Sequence, residues 1–114
     1  MLLMVKQEIF DALLTGERRR FDVRQTQQTT AAFRNLGLID VECMPTGDMA
    51  EIKISGGQPR KGRPELRAVV SVGVGGPTLR LRERHYIVVI QKIVGIRDGR
   101  HKKGTKNGSS KNDR

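Results

Sequence analysis

The sequence contains few aromatic residues and a single cysteine. Its 114 residues include three Phe, one Tyr and no Trp, whereas proteins that read single strands usually stack bases on several rings. One thiol cannot form an internal disulfide, and Cys43 with two histidines is too small a set for a tetrahedral metal cage. No apolar run, including the opening MLLMV, approaches the length of a signal-peptide core or a membrane span. We therefore expect a cytoplasmic protein with no cofactor, no metal and no membrane contact.

Positive charge, by contrast, is abundant. The chain has 22 Lys and Arg against 12 Asp and Glu, a formal net charge of +10. In a chain of one-domain length, such an excess favours phosphate-rich partners, with nucleic acid first. Seven of the cations lie in residues 97–114, where glycine is the only apolar residue type. We predict a disordered basic tail there and a compact domain over residues 1–96.

The hydrophobic periodicity of residues 1–96 predicts an α+β fold. Apolar residues one turn apart predict an amphipathic helix that ends near Gly16, and a second short helix begins after Thr26 and ends at Gly37. The apolar run 85–96 is typical of an interior strand. We expect one or two helices packed on an antiparallel sheet of four or five strands. Further strands are predicted around Phe21 and over residues 66–74 and 78–84.

A β-hairpin is predicted between residues 39 and 54. Apolar and polar residues alternate on both sides of the turn sequence Pro-Thr-Gly-Asp at 45–48. The predicted register places Val41 opposite Ile52 and Asp40 opposite Lys53. Cys43 would then face inward as a small core residue.

A basic loop, GGQPRKGRPELR at residues 56–67, separates this hairpin from the next strands. Its Arg-Lys-Gly-Arg-Pro stretch at 60–64 resembles the core of an AT-hook, an extended element that lies in A·T-rich minor grooves. The resemblance implies that Arg60, Lys61 and Arg63 approach a groove, with Arg67 beside them; glycine allows close approach and proline keeps the backbone extended. The alternative is a basic loop between strands with no groove contact.

Two further sets of residues are candidates for contacts with nucleic acid. Arg80, Arg82 and Arg84 alternate along one predicted strand, at a spacing suited to successive phosphates. Gln28 and Arg34 belong to the predicted second helix and have side chains of the types that pair with base edges. The alternatives are the solvent-exposed face of an edge strand and an ordinary polar surface helix.

One set of residues suggests catalysis. Asp40, Glu51 and Lys53 have the D-x(10)-E-x-K spacing across the predicted hairpin. This pattern resembles the core of the PD-(D/E)xK nucleases, which implies two carboxylates that hold Mg²⁺ and a lysine that assists the attacking water. The alternative is an exposed cross-strand ion pair between Asp40 and Lys53.

Taken together, these features predict a non-enzymatic nucleic-acid-binding protein, architectural or regulatory, of the size of phage or plasmid accessory proteins. Duplex DNA is favoured over RNA or single strands, and a homodimer is compatible with the sequence. The prediction requires the cations of the separate segments to lie on one side of the molecule. The two alternatives are a Mg²⁺-dependent nuclease and an inhibitor that binds an acidic protein surface. The tail residues expected to bind are Arg100, Lys102, Lys103 and Lys106.

Overall fold

The computed structural model describes residues 1–57, 64–76 and 84–97. Within these ranges the chain forms two helices and one five-stranded sheet, which confirms the predicted α+β class. The residues around the AT-hook-like stretch, Arg80 and Arg82, and the tail beyond Arg97 lie outside the described ranges. The elements in chain order are β1 (Leu2–Val5), α1 (Gln7–Thr15), β2 (Arg20–Arg24), α2 (Gln27–Asn35), β3 (Ala50–Gly56), β4 (Glu65–Gly75) and β5 (His85–Arg97).

The sheet is mostly antiparallel, and its strand order is β1-β3-β4-β5-β2. The one parallel pair is β1 with β3, while β3–β4, β4–β5 and β5–β2 are antiparallel. The two strands that flank α1 therefore lie at opposite edges of the sheet. Strand β5 lies between β4 and β2, which confirms the interior position predicted from its apolar run. Strand β1 was not predicted, because four residues at a chain start show too little alternation.

The helices begin and end at the capping residues that the sequence predicts. Gly16 closes α1 in the left-handed region at φ 83°, where a residue without Cβ is favoured. The hydroxyl of Thr26 accepts a hydrogen bond from the amide of Thr29 at 3.1 Å, and this satisfies one free donor at the start of α2. Gly37, at φ 79°, follows the last turn of α2. All three predicted end residues are confirmed.

The hydrophobic core lies between the two helices and one face of the sheet. Alternate residues of β4 from Leu66 to Val72 are buried, as the period of two in a half-buried strand requires. Tyr86 of β5 packs edge-on against Phe33 of α2, with 5.2 Å between the ring centroids. Its hydroxyl lies 2.7 Å from that of Thr30. This hydrogen bond and ring contact join α2 to the sheet.

The predicted 39–54 hairpin is wrong, although its second half is the strand β3. Both edges of β3 are occupied, by β1 on one side and β4 on the other, so Lys53 lies opposite Leu2 and Arg67. Residues 39–49 form a loop in which a single β-bridge forms, between Ile39 and Pro45. Val41, predicted to pair with Ile52, is 79% exposed.

A side chain closes the first turn of this loop. A carboxylate oxygen of Asp40 accepts hydrogen bonds from the amides of Glu42 and Met44, at 2.8 and 3.0 Å. Asp side chains stabilise turns in this way and compete with strand pairing. Cys43 takes a positive φ of 66° within the turn and packs, partly buried, against the core. No helix in the described ranges is long and apolar enough to cross a membrane.

Candidate nucleic-acid interface

The face of the sheet opposite the helices is exposed to solvent and strongly charged. We call it the open face. Strand alternation assigns its residues: in β2, for example, Phe21 is buried against the helices while Arg20, Asp22 and Arg24 are exposed on the other side. The acids of the open face are Asp22, Glu51 and Glu65, and its Lys and Arg residues are Arg20, Arg24, Lys53, Arg67, Lys92 and Arg97.

All three acids of the open face are close to a basic partner. Glu51 forms an ion pair with Arg67 at 3.3 Å, and Glu65 forms one with Arg97 at 3.7 Å. The carboxylate of Asp22 lies 3.8 Å from Nε2 of His85, which makes an ion pair only when the imidazole is protonated. Among the described residues of the open face, this leaves four Lys and Arg side chains without an ion-pair partner. These four, the open-face cations, are Arg20, Arg24, Lys53 and Lys92.

The rest of the described chain has the opposite balance. Outside the open face it contains five Lys and Arg and six Asp and Glu, against six and three on the open face. The acids there include Glu8 and Asp11 on α1 and Asp40 in the loop after α2. The described part of the open face thus has a charge of +3, and the rest of the described chain has a charge of −1.

The predicted site residues that the structure describes are divided between the two sides. Arg67 lies on the open face but is already paired with Glu51. Gln28 and Arg34 lie on α2, on the helical side of the sheet. Six residues of an α-helix correspond to about 120° of separation, so these two side chains do not share a stripe. Arg84 is exposed and directly precedes β5.

The basic segments leave the sheet at its two opposite ends. Gly57 and Pro64, which flank the AT-hook-like loop, lie near Arg97, because Glu65 pairs with both Ser55 and Arg97. The segment 77–83 follows β4 at the other end, where Gly75 pairs with His85. The 11 residues of β4 separate these ends by about 33 Å. The described residues of the open face extend from Glu65 and Arg97 at one end of β4 to Arg24 at the other.

The three residues of the nuclease hypothesis are not held together by a hairpin. Asp40 lies in the turn after α2, while Glu51 and Lys53 project from β3 onto the open face. Glu51 is engaged by Arg67. In the part of the chain that the structure describes, no three His, Cys, Asp or Glu side chains come close enough to hold a metal ion.

None of the four open-face cations was predicted from the sequence as a binding residue. Arg20 and Arg24 flank Asp22 in the sequence RFDVR, and their alternation with Phe21 and Val23 is visible without a structure. The face on which Lys92 lies cannot be read from alternation, because a β-bulge between Ile90 and Lys92 interrupts the alternation of β5. Lys53 was considered only as a catalytic lysine.

Tyr86 and His85 are two buried titratable residues of β5; His85 lies on the open-face side beside Asp22, and Tyr86 faces the helices. Burial raises the pKa of the Tyr86 phenol above its ordinary value of 10.0, and the Thr30 hydrogen bond partly offsets this. His85 is 7% exposed, and its Nδ1 has no hydrogen-bond partner. Neither ring is placed to stack on a base, so both serve the packing of β5.

No protein-family model matches the chain, and no curated protein or solved structure shows significant similarity to it.

Proposed function

We propose that this protein binds duplex nucleic acid, DNA in the first place, along the open face of its sheet. It does so without catalysis, in an architectural or regulatory role. The observation that carries the proposal is the separation of charge across the sheet. Six cations and three acids, two of which are in ion pairs with Arg67 and Arg97, lie on one side, and five cations and six acids lie in the rest of the described chain. Phosphates are attracted to the first surface and repelled by the acids of the second.

The dimensions of the open face are compatible with a duplex. Strand β4 spans about 33 Å, close to the roughly 34 Å of one helical turn of B-DNA. Lys53 on β3 and Arg24 on β2 lie three strand spacings apart across the sheet, about 14 Å, and eight residues of β4 apart along it, about 26 Å. The segments 58–63 and 98–114, with sequence charges of +3 and +4, follow described residues at one end of this face. Phosphate contacts from them would extend the same surface.

The aromatic residues favour a duplex over single strands. The Phe and Tyr residues of the chain are Phe10, Phe21, Phe33 and Tyr86, and Trp is absent. All four are at most 2% exposed, so none is available for stacking on an unpaired base. Recognition is then expected to depend on phosphates and groove shape, and base sequence contributes little.

The test compares two charge-matched double variants of the full chain. Arg24→Gln with Lys53→Gln removes two open-face cations, and Lys6→Gln with Arg34→Gln removes two cations from the helical side. Binding to a labelled duplex of about two helical turns is measured at several salt concentrations. If both open-face residues contact phosphates, the slope of log K against log salt decreases in magnitude by about 1.8 for the first variant. The second variant should retain the wild-type slope.

Each alternative function has its own outcome in this experiment. Equal losses in both variants would show that only net charge matters, and a loss confined to the second would favour contacts from α2. Tighter binding to single strands than to the duplex would overturn the proposal. Cleavage of plasmid DNA with Mg²⁺ that disappears in Asp40→Ala would favour the nuclease. If this protein retains an acidic protein from a nuclease-treated lysate and binds no nucleic acid, the inhibitor hypothesis is favoured.

A further inference from the structure

The outer edge of β1 has no strand beside it in the described part of the chain, because β1 stands first in the sheet order and pairs with β3 on its inner side. The carbonyls of Met1 and Val5 accept hydrogen bonds, at 3.0 and 2.6 Å, from backbone amides of β3 and of the residue after it. Successive residues of a strand direct their backbone groups alternately to its two sides. The amides and carbonyls of Leu2 and Met4 therefore point outward, to the free edge.

This edge is also apolar. Leu2 and Met4 lie on the open face, opposite Lys53 and Ser55, and are 38 and 53% exposed. Proteins protect edge strands from association with charge, Pro, β-bulges or short length. Of these devices β1 shows only the last, since residues 1–5 contain no charged side chain and no Pro, and the pairing of β1 with β3 has no register shift. Such an edge is a template for pairing with another strand.

We infer that a second copy of this chain pairs with β1 in antiparallel orientation, with Leu3 on the two-fold axis. In this register Leu2 lies opposite Met4 of the second copy, and Met1 lies opposite Val5. Because Leu2 and Met4 both direct their backbone groups outward, the residues of each such pair can exchange two hydrogen bonds. The register also keeps the faces of the sheet together: Leu2 and Met4 share the open face, and Leu3 meets its own copy on the helical side.

Neighbouring symmetric registers use this edge less well. With the axis at Leu2, Met4 would extend past the start of the strand and form no pair within it. With the axis at Met4, Leu2 would lie opposite Lys6, whose carbonyl already accepts a hydrogen bond from the amide of Phe10 in the first turn of α1. The axis at Leu3 is thus the one that gives both outward residues of β1 a complete partner.

The other free edges in the described ranges are protected against the same contact. Full self-pairing of β2 would set Arg20 opposite Arg24, and like charges directly opposite are destabilising. The part of β5 that extends beyond β2 has register shifts at Gln91 and Val94, and β-bulges of this kind interrupt the hydrogen-bonding ladder. Charge and irregularity therefore disfavour β2 and β5, whereas β1 is regular and uncharged.

Helix α1 leaves room for this contact. It packs on β3, where a Cβ added at Gly56 would lie 3.0 Å from Cβ of Phe10. In the paired sheet the two β3 strands are three strand spacings apart, about 14 Å, which is more than the roughly 8–10 Å between the axes of packed helices. The two-fold axis is perpendicular to the sheet, so both copies present the open face on the same side.

The contact is small. Residues 1–5 of each copy bury much less surface than the roughly 1,600 Å² of a standard interface, so we expect a concentration-dependent equilibrium between monomer and dimer. The inference does not rest on nucleic-acid binding.

The first experiment measures the mass of the full chain by light scattering after nuclease treatment, at high salt, from micromolar to millimolar concentration. We expect the average mass to rise toward twice that of the monomer. Leu2→Lys with Met4→Lys, and Leu2→Glu with Met4→Glu, should each remain monomeric, because like charges would lie directly opposite each other. An equimolar mixture of these two variants should associate again, which excludes misfolding as the cause of the loss. Val94→Lys with Ile96→Lys, on the free part of β5, is the charge-matched control and should behave as wild type.

The second experiment tests the register by cross-linking. In a Cys43→Ser background, chains with Leu2→Cys are mixed with chains with Met4→Cys and mildly oxidised. In the inferred register, Cα atoms of the two different variants lie directly opposite each other, about 5.5 Å apart, within the range of disulfides. Two copies of the same variant have these atoms about 8 Å apart, beyond that range. The disulfide should therefore form between the two different variants and not between identical ones.

Several results would overturn the inference. One is a wild-type chain that stays monomeric at millimolar concentration. Another is a dimer that persists in the Leu2→Lys, Met4→Lys variant, or one that the control on β5 abolishes. A mixture that gives no disulfide, or that links identical and different variants in statistical proportions, would exclude Leu3 as the position of the axis.

Discussion

The hydrogen bond between Tyr86 and Thr30 provides a quantitative test of how α2 docks on the sheet. Tyr86→Phe keeps the ring and its contact with Phe33 but removes a hydroxyl that lies 2.7 Å from Thr30 at a fully buried position. One such bond contributes about 1 kcal/mol to the free energy of unfolding. Thr30→Val removes the other partner and leaves the buried phenol without the Thr30 hydroxyl, which costs about 1 to 3 kcal/mol.

The double variant gives the decisive comparison. With both hydroxyls removed, no polar group is left without a partner, so the combined loss should be smaller than the sum of the single losses by about 1 kcal/mol. Urea unfolding of the wild type and the three variants measures this coupling. Strictly additive losses would refute the contact between α2 and β5 on which the assignment of the helical side depends.

The same residue predicts a pH dependence with a definite sign. Burial raises the pKa of Tyr86 in the native state, so the unfolded chain loses this proton first as the pH increases. The free energy of unfolding of the wild type should therefore decrease above pH 10.0, the ordinary pKa of a tyrosine. The slope due to Tyr86 approaches about 1.4 kcal/mol per pH unit until the native pKa of Tyr86 is reached. Tyr86→Phe lacks this component, so the two unfolding curves should differ in pH dependence only in the alkaline range. Parallel curves would contradict the reasoning.

Two further predictions concern the tail and a helix end. Removal of residues 98–114 should weaken duplex binding and flatten its salt dependence, since it removes a sequence charge of +4. The melting temperature measured by calorimetry should be nearly unchanged. Equal affinity of the truncated and full chains would show that the tail does not take part in binding. Gly16→Ala should lower the free energy of unfolding by about 1 to 2 kcal/mol, because φ is 83° at that position. Gly76→Ala, where φ is ordinary and no atom lies near the added Cβ, is its control and should change stability little.

Local chemistry explains what could be predicted of the fold from the sequence. The ends of both helices depend on residues within a few positions, such as Gly16 after α1 and Thr26 before α2. The interior position of β5 follows from its long apolar run, since a strand buried on one face and paired on both sides tolerates few charges. The strand around Phe21 was predicted from a different local pattern, the alternation of apolar and charged residues.

Strand pairing could not be predicted in this way. The alternation in residues 50–54 fits a hairpin with residues 39–43 and the observed pairing with β4 equally well. The carboxylate of Asp40 favours the turn, and the unpredicted strand β1 occupies the remaining edge of β3. Both effects depend on backbone groups that a pattern of apolar and polar residues does not reveal.

For this protein, the sequence by itself determined the excess of positive charge, the scarcity of rings for stacking and the residues that share a face of each strand. Only the tertiary structure decided which face of the sheet the helices cover, and hence that Arg20, Arg24 and Lys53 lie together on the uncovered side. The reason is physical. Alternation of side chains along a strand is a local property that repeats every two residues. The face that the helices cover depends on contacts between residues far apart in the chain, such as Phe33 and Tyr86.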